Sequence, residues 1–178
     1  MGSSEERFAG LFAGHYGDVL AYAIRRCSSR ADAEEVAAET FTVAWRRLDE
    51  VPRGEAARMW LFGTARLVLR NLERGRRRRV ALVTRARRLL PGSSKLPESG
   101  VLEERVRTAM STLSETDREV LRLQVWEELS AEQIADLLGC SVAAVWKRAE
   151  RARRRLAAAL RGQVDAAAVR GVVAPEES

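Results

Sequence analysis

The sequence has very few of the residues from which metal sites and nucleophilic centres are built. Its 178 residues include two cysteines, Cys27 and Cys140, and one histidine, His15. A structural zinc site needs about four ligands, and neither cysteine has a CxxC partner. We therefore expect no metal, no cofactor and no catalytic constellation, so the protein is not expected to be an enzyme. The two thiols are expected to be reduced and buried.

Long apolar runs are missing as well. No run approaches the roughly 20 residues of a membrane span, and the N-terminus lacks the basic-then-apolar pattern of a signal peptide. Hydrophobic residues still make up 46% of the chain, enough for the core of one domain or of two small ones. We expect a folded cytoplasmic protein without a membrane contact of its own.

The net charge of +6 is confined to one segment. Residues 1–75 contain 11 basic and 11 acidic side chains, and residues 106–178 again contain 11 and 11. The whole surplus therefore lies between Arg76 and Arg105. It begins with four consecutive arginines that wrap around the end of a predicted helix: Arg76, Arg77, Arg78 and Arg79. They cannot all pair locally, so they need solvent or a polyanion.

Residues 113–156 carry the clearest pattern, which predicts four short helices ending in a helix-turn-helix. Ser114 and Ser130 each precede a helical pattern and have Asp117 or Gln133 three places on, the spacing of a capping box. Gly139 can adopt the positive φ of a tight turn between the last two helices.

The last of these helices separates apolar from basic residues. Its apolar positions recur at three- and four-residue steps and are expected to face the core: Val145, Ala149, Ala152 and Leu156. The residues left outside are Trp146, Lys147, Glu150, Arg151 and Arg154. Six basic residues between Lys147 and Arg155, against one acid, suit a helix in the major groove of DNA. A solvated charged face is the alternative, but the glycine turn and the capped partner helix favour DNA binding.

Three amphipathic helices are predicted in the N-terminal half. The first spans Phe8 to Arg26, and the second starts near Ala31. The second is expected to bury Val36, Phe41, Ala44, Trp45 and Leu48.

Its other side carries the exposed acids Asp32, Glu35 and Glu39, although acids in a first turn also complement the helix dipole. The third helix follows a loop marked by Pro52 and Gly54 and combines aromatic residues with the arginine run. Such a helix could bind unstacked single-stranded bases, whereas Trp60 taken alone slightly favours a core position.

Two separated segments resemble one known family. They are DAEEVAAETFTVAW with the following RGEAARMWLFGTARLVLRNLERGRRRR, and LSETDREVLRLQVWEELSAEQIADLLGCSVAAVWKRAERARRRL. Both are similar to extracytoplasmic-function (ECF) sigma factors, the small bacterial type that keeps only regions 2 and 4. The resemblance covers nearly all of residues 8–160.

The resemblance implies an all-α fold of two small helical domains joined by a flexible linker, the C-terminal one a helix-turn-helix. Region 2 would span residues 1–79, a basic linker 80–105, region 4 106–161, and a tail expected to be disordered 162–178. The implied partners are core RNA polymerase, promoter DNA and an anti-sigma factor. The alternative is a helix-turn-helix repressor or activator that binds duplex DNA without polymerase.

The resemblance also implies roles for individual residues. Contacts with the polymerase clamp are implied for Asp32, Glu35, Glu39 and Phe41. Recognition of the melted minus-ten element is implied for Val51, Pro52, Arg53, Gly54, Glu55, Trp60 and Leu67. The minus-thirty-five contacts are implied for Trp146, Lys147, Glu150 and Arg151, with Arg148 and Arg154 on phosphates. The run Arg76 to Arg79 would hold the DNA backbone.

Several positions depart from the family pattern. Ala38 and Leu67 stand where a glutamine and an asparagine are usual, and Ala143 and Ala144 replace a usual Gly-Thr pair. Trp146 occupies a place that is commonly basic. The family's promoter preferences therefore cannot be transferred to this chain unchanged.

Overall fold

Helices account for all the regular structure among the residues that the structure describes. The structure is a computed structural model that describes residues 2–86 and 101–172, with side chains at 4–75 and 105–163. The α-helices are α1 Gly2–Ile24, α2 Arg30–Arg46, α3 Glu55–Ala86, α4 Val101–Ser111, α5 Glu115–Val125, α6 Ala131–Leu138 and α7 Val142–Val172. A 3-10 turn at Leu48–Glu50 joins α2 to the loop before α3. The predicted all-α class is confirmed.

The chain divides into two units. Met1–Pro97 contains α1 to α3, and Glu98–Ser178 contains α4 to α7. Within the described parts of both units, no helix is long and apolar enough to cross a membrane.

The first unit packs three helices around a core of aromatic and small residues. Helix α2 begins at Arg30 because the Ser29 hydroxyl accepts the Asp32 amide at 3.1 Å. A stack of four side chains joins α1 to α3, with the Tyr22 and Phe62 rings 4.9 Å apart and nearly parallel. The guanidinium of Arg26 lies 3.5 Å from the Tyr22 ring centre, and that of Arg58 lies 4.8 Å from the Phe62 ring centre. Dispersion and cation–π attraction thus hold these two helices in register.

Two expectations about core residues were wrong. Trp45 was expected in the core, but it is 46% exposed and only one side of it contacts Phe8, with ring centres 5.1 Å apart. Phe8 packs against Phe41 between α1 and α2, with ring centres 6.3 Å apart, so the inner position is held by Phe41. The cysteines Cys27 and Cys140 are half-buried, because each follows the end of a helix near the surface.

In the second unit, α4, α5 and α6 pack against the first half of α7. The fully buried apolar side chains of this unit include Ala109, Val120, Leu123, Ile134, Val145, Ala149 and Ala152. A second cluster joins α4, α5 and α7 through Met110, Leu113, Leu121 and Ala152. The Arg118 side chain donates to the carbonyls of Met110, Ser111 and Leu113 at 2.9 to 3.2 Å, so it satisfies the carbonyl end of α4.

Helix boundaries differ from the prediction in three places. Residues 113–156 hold three helices instead of four, the last of which continues beyond residue 161 to Val172. Helix α3 continues through residue 79 to Ala86, into the predicted linker. Ala81, Leu82 and Ala86 in the α3 extension, and the run Ala166 to Ala168 in the α7 extension, have high helix propensity and favour the added turns. The rest of the linker, 87–100, and the last six residues lie outside the described residues, and the domain boundaries stay predictions.

Candidate nucleic-acid interface

The turn between α6 and α7 has the predicted geometry. Ser130 and Gln133 form a reciprocal capping box at the start of α6, with bonds of 3.2 and 2.9 Å. Gly139 ends the helix at φ 64° and ψ 47°, a left-handed conformation that an L side chain rarely adopts. The Ser141 hydroxyl then accepts the Ala144 amide at 3.2 Å and starts α7. These local bonds fix the direction in which α7 leaves the turn.

Helix α7 presents one polar face. Val145, Ala149 and Ala152 are fully buried, so the opposite face of the helix projects outward. The exposed residues are Trp146, Lys147, Glu150 and Arg154, with Trp146 53% exposed. The face predicted from the three- and four-residue spacing is therefore present at these four positions, while its contact with DNA stays a prediction.

Arg148 and Arg153 lie at the sides of this face. The Arg148 guanidinium lies 3.4 Å from the Cys140 sulfur and is half-buried. Arg153 donates to the Gln124 side chain on α5 at 2.9 Å and is exposed. Arg148 is thus held near the turn, at the N-terminal half of α7.

Arg151 departs from the expectation that it lies on the outward face. Its Nε and Nη2 donate to the two carboxylate oxygens of Asp117 on α5, at 2.8 and 2.5 Å. The Asp117 side chain is fully buried, whereas the Arg151 side chain is 41% exposed. Hydrogen bonding from the Arg151 guanidinium holds the pKa of Asp117 below its ordinary range, although burial acts in the opposite direction. The fork of Arg151 therefore points at α5 in this structure.

Asp117 also explains why Ser114 caps α5 only from one side. The Ser114 hydroxyl accepts the Asp117 amide at 3.2 Å, as predicted. The carboxylate at this position does not return to the Ser114 amide, because it faces Arg151. The capping-box pattern was thus correct at Ser130 and half correct at Ser114.

In the first unit, the predicted minus-ten loop borders an open groove of about 970 Å³ against α1. The loop residues Pro52, Arg53, Gly54 and Glu55 are exposed, and Gly54 has a φ of 66°. Val51 is only 3% exposed, so its side chain is a core residue and not a DNA contact. Arg7 on α1 donates to the Val51 carbonyl at 2.6 Å and so ties the loop to the first helix.

A second groove, of about 510 Å³, runs between α2 and α3. Glu35 and Glu39 of the predicted polymerase surface lie on one wall, and Leu67 of the predicted minus-ten set lies on the other. Leu67 is 57% exposed. Trp60 is half-buried and lies on the same face of α3, seven residues before Leu67. Leu67 therefore shares a groove with the acids of α2, while the loop lines a different one.

Two members of the predicted polymerase surface lie elsewhere. Phe41 is 3% exposed and packs against Phe8 and Phe12, so it supports α2 from inside and does not face a partner. Asp32 is half-buried in the first turn of α2, where its carboxylate accepts a 3.3 Å bond from Ser28. The helix-start role considered for this acid is therefore the one that its contacts support.

Arg76 to Arg79 belong to α3, but their side chains lie outside the described set. The backbone continues as helix through and beyond them, so successive positions are rotated by about 100° around the helix axis. Their contact with DNA stays a prediction.

The sequence interpretation missed two residues that hold these surfaces in place, Asp117 and Arg7. Each makes its contact with a residue more than 30 positions away, at 34 and 44 residues. Local periodicity carries no information about such pairs. The sequence assigns Asp117 only to the capping pattern after Ser114, and Arg7 precedes the predicted start of the first helix at Phe8.

Two parts of the chain match family profiles. Residues 11–79 match sigma-70 region 2, and residues 103–156 match sigma-70, region 4. The first match covers α1 from residue 11, all of α2 and most of α3, and the second covers α4 from residue 103, α5, α6 and the first half of α7.

Similar proteins include the RNA polymerase sigma factor CnrH of Cupriavidus metallidurans, 32% identical over 89% of both chains. The ECF RNA polymerase sigma factor EcfG of Rhodopseudomonas palustris is 30% identical over 79% of this chain and 77% of its own.

Solved structures of two sigma factors are also similar. The sigma factor RpoE of Bartonella quintana, in complex with the anti-sigma factor NepR, has a TM-score of 0.70 at 25% identity, over 86% of this chain and 96% of its own. CnrH in complex with the cytosolic domain of CnrY has a TM-score of 0.62 at 31% identity, over 87% of this chain and 88% of its own.

Proposed function

The chain belongs to the extracytoplasmic-function family of RNA polymerase sigma factors, and we propose that it directs promoter-specific initiation through three surfaces. Sigma factors are initiation factors and not enzymes. The second unit would bind the minus-thirty-five element, the first would capture the melted minus-ten strand, and α2 would bind core polymerase.

The observation that carries the proposal is the exposed face of α7. Trp146, Lys147 and Glu150 project from a helix whose opposite face is fully buried, directly after a capped α6 and a left-handed glycine turn. A helix held in this way can enter the major groove with its first two turns. Lysine can reach guanine edges, a carboxylate can accept from cytosine N4, and an indole can contact a thymine methyl.

The two grooves of the first unit support the other two surfaces. Glu35 and Glu39 are exposed and face away from the core of α2, so a basic surface of polymerase could pair with them. The exposed loop 52–55 and the α3 face that carries Trp60 offer polar backbone and stacking area to unpaired bases.

The test is reconstitution of the full chain with core polymerase, followed by transcription from a library randomised at both promoter elements. We expect polymerase to start from a restricted set of promoters only when the chain is present. Isolated duplex DNA should bind weakly, because each unit offers one small surface. Tight binding to a palindrome without polymerase would instead support a repressor or activator.

We also infer that an anti-sigma factor regulates the chain. RpoE of B. quintana was solved with the anti-sigma factor NepR, and CnrH was solved with the cytosolic domain of CnrY. The chain is similar to each of these sigma factors over more than four fifths of its length. Affinity purification of the tagged chain from its host, before and after stress, should recover a small partner that competes with polymerase. Recovery of polymerase alone under every stress would contradict this inference.

A further inference from the structure

Arg151 and Asp117 form a closed, two-pronged contact between the recognition helix and α5. The two bonds, of 2.8 and 2.5 Å, use both carboxylate oxygens. Asp117 sits in the first turn of α5, where the Ser114 hydroxyl caps its amide. Because a guanidinium fork and a carboxylate match in one plane, this geometry fixes both the distance and the rotation of the two helices.

The contact acts on the part of α7 that would meet DNA. Arg151 lies one helical turn after Lys147 and follows Glu150 directly. A rotation of α7 against α5 would therefore move both of these exposed side chains relative to the groove. Ala149 and Ala152, which flank the contact, are fully buried but small, so they limit such a rotation only weakly.

If Arg151 turned towards DNA, the buried Asp117 carboxylate would lose both of the hydrogen bonds that Arg151 donates. The Asp117 side chain has no exposed surface, and the next cation, Arg155, has its nearest nitrogen 3.9 Å away, beyond hydrogen-bond distance. A buried carboxylate without its main partner is strongly disfavoured. Binding a base through Arg151 would have to offset that cost.

We propose that Arg151 is a positioning residue, locked by Asp117, which aims the recognition helix so that Trp146, Lys147 and Glu150 contact the minus-thirty-five bases. This proposal rests on the proposed function and changes the role of Arg151 in it, from a base contact to a residue that orients the helix. The sequence spacing placed Arg151 beside Lys147 on the side that faces the groove. Here Arg151 instead contacts α5 and so orients α7, the helix that carries the DNA-contacting residues.

Arg153 provides a matched control on the same helix. It also donates to a side chain of α5, Gln124, but through a single exposed bond of 2.9 Å to a neutral group. Arg153→Ala removes the same charge two residues away without breaking a buried pair. We expect it to leave base preference and specific binding nearly unchanged.

The experiment measures binding of the holoenzyme, made with the full chain, to promoters that differ singly in the minus-thirty-five element, at several salt concentrations. The variants are Arg151→Ala, Arg151→Lys, Asp117→Asn and the double Asp117→Asn, Arg151→Ala. We expect each single change to lower specific binding roughly tenfold on every promoter variant, with non-specific binding unchanged. The double variant should be no worse than either single one, because both remove the same interaction.

A base-reading Arg151 gives a different pattern. Arg151→Ala would then relax preference at one base pair, and Asp117→Asn would keep or strengthen binding by freeing the guanidinium. A phosphate contact would be rescued by Arg151→Lys and would change the salt slope by about one unit when removed. Either result overturns the positioning role. If Asp117→Asn unfolds at the assay temperature, Arg151→Lys decides, because lysine keeps the charge but not the fork.

Failure of the underlying function is distinguishable. If the wild-type holoenzyme shows no minus-thirty-five preference at all, the proposed promoter recognition is wrong, whatever the variants do. If wild type is selective and Asp117→Asn remains equally selective and equally tight, only the positioning role is wrong.

Discussion

Glu128, in the turn after α5, adopts a φ of 56°, the only positive value among the non-glycine residues that the structure describes. A side chain in the left-handed region costs about 1 kcal/mol or more, which glycine avoids. Glu128→Gly should therefore raise the free energy of unfolding by about 0.5 to 1 kcal/mol, measured by urea denaturation. Gly139→Ala, at a φ of 64°, is the matched reverse change and should destabilise by a similar amount. A loss of stability in Glu128→Gly would contradict the backbone argument.

The Asp117 carboxylate should make stability depend on pH in acid. Its pKa in the folded state is lowered, chiefly by the hydrogen bonds from Arg151. Its contribution is therefore complete above the ordinary value of about 3.9 and is lost as pH falls through the lower folded pKa. Thermal unfolding from about pH 7 to about pH 2.5 should show Asp117→Asn less stable than wild type at neutral pH, with the difference shrinking below about pH 4. A constant difference across that range would rule out the ionised pair as its source.

At the scale of helices, the sequence pattern predicted the features that depend on neighbouring residues. The caps at Ser114 and Ser130, the turn at Gly139 and the buried stripe of α7 all depend on spacings of three or four residues, which sequence displays directly. The orientation of Arg151 could not be predicted in this way, because it depends on an acid 34 residues earlier. Phe41 and Val51 were placed on binding surfaces by resemblance, yet both are buried. A residue's match to a position in the family pattern does not determine the direction of its side chain.

Arg7 should stabilise the loop before α3 by connecting it to helix α1. Its bond to the Val51 carbonyl spans 44 residues and holds the start of the exposed loop 52–55. Arg7→Ala should destabilise the first unit by about 1 to 2 kcal/mol and increase hydrogen exchange of the loop amides. Asp49→Ala is the control, because Asp49 is fully exposed and its 3.9 Å ion pair with Arg7 contributes little. Equal effects of the two changes would mean that the carbonyl bond is not the important contact.

The acidic wall of the α2–α3 groove is expected to bind core polymerase. Glu35→Arg with Glu39→Arg should weaken binding at least tenfold, since reversal of two charges replaces attraction by repulsion in a complementary interface. Binding is measured by titration of fluorescent chain with core enzyme. Glu34→Arg is the matched control, because Glu34 lies on the same helix outside the groove and pairs with Arg30 at 2.8 Å. If the double variant folds and binds as tightly as wild type, this groove is not the polymerase surface.

At the scale of the whole molecule, the surplus positive charge is confined to one segment of the chain. The two halves outside residues 76–105 are each balanced, and the surplus of six positive charges lies between them. Base recognition requires a few oriented side chains, such as those on α7, whereas attraction to phosphates requires only charge near the backbone. We therefore expect separate segments of the chain to select a promoter and to hold its backbone.

Arg76 to Arg79 provide the test of that division. Because the α3 backbone remains helical through this run, its four positions are distributed around the helix axis, and we expect such a run to suit phosphates better than one base pair. Arg77→Ala with Arg78→Ala should weaken open complexes on all promoters alike and lower the salt slope by roughly one unit for each phosphate that is no longer neutralised. The control removes two arginines that form exposed local ion pairs, Arg30→Ala with Arg47→Ala, and should leave the slope unchanged. Open-complex formation is measured across minus-thirty-five variants at several salt concentrations. A change of sequence preference at constant slope would place this run among the base-recognising residues, because only a contact with particular bases changes preference without releasing counterions.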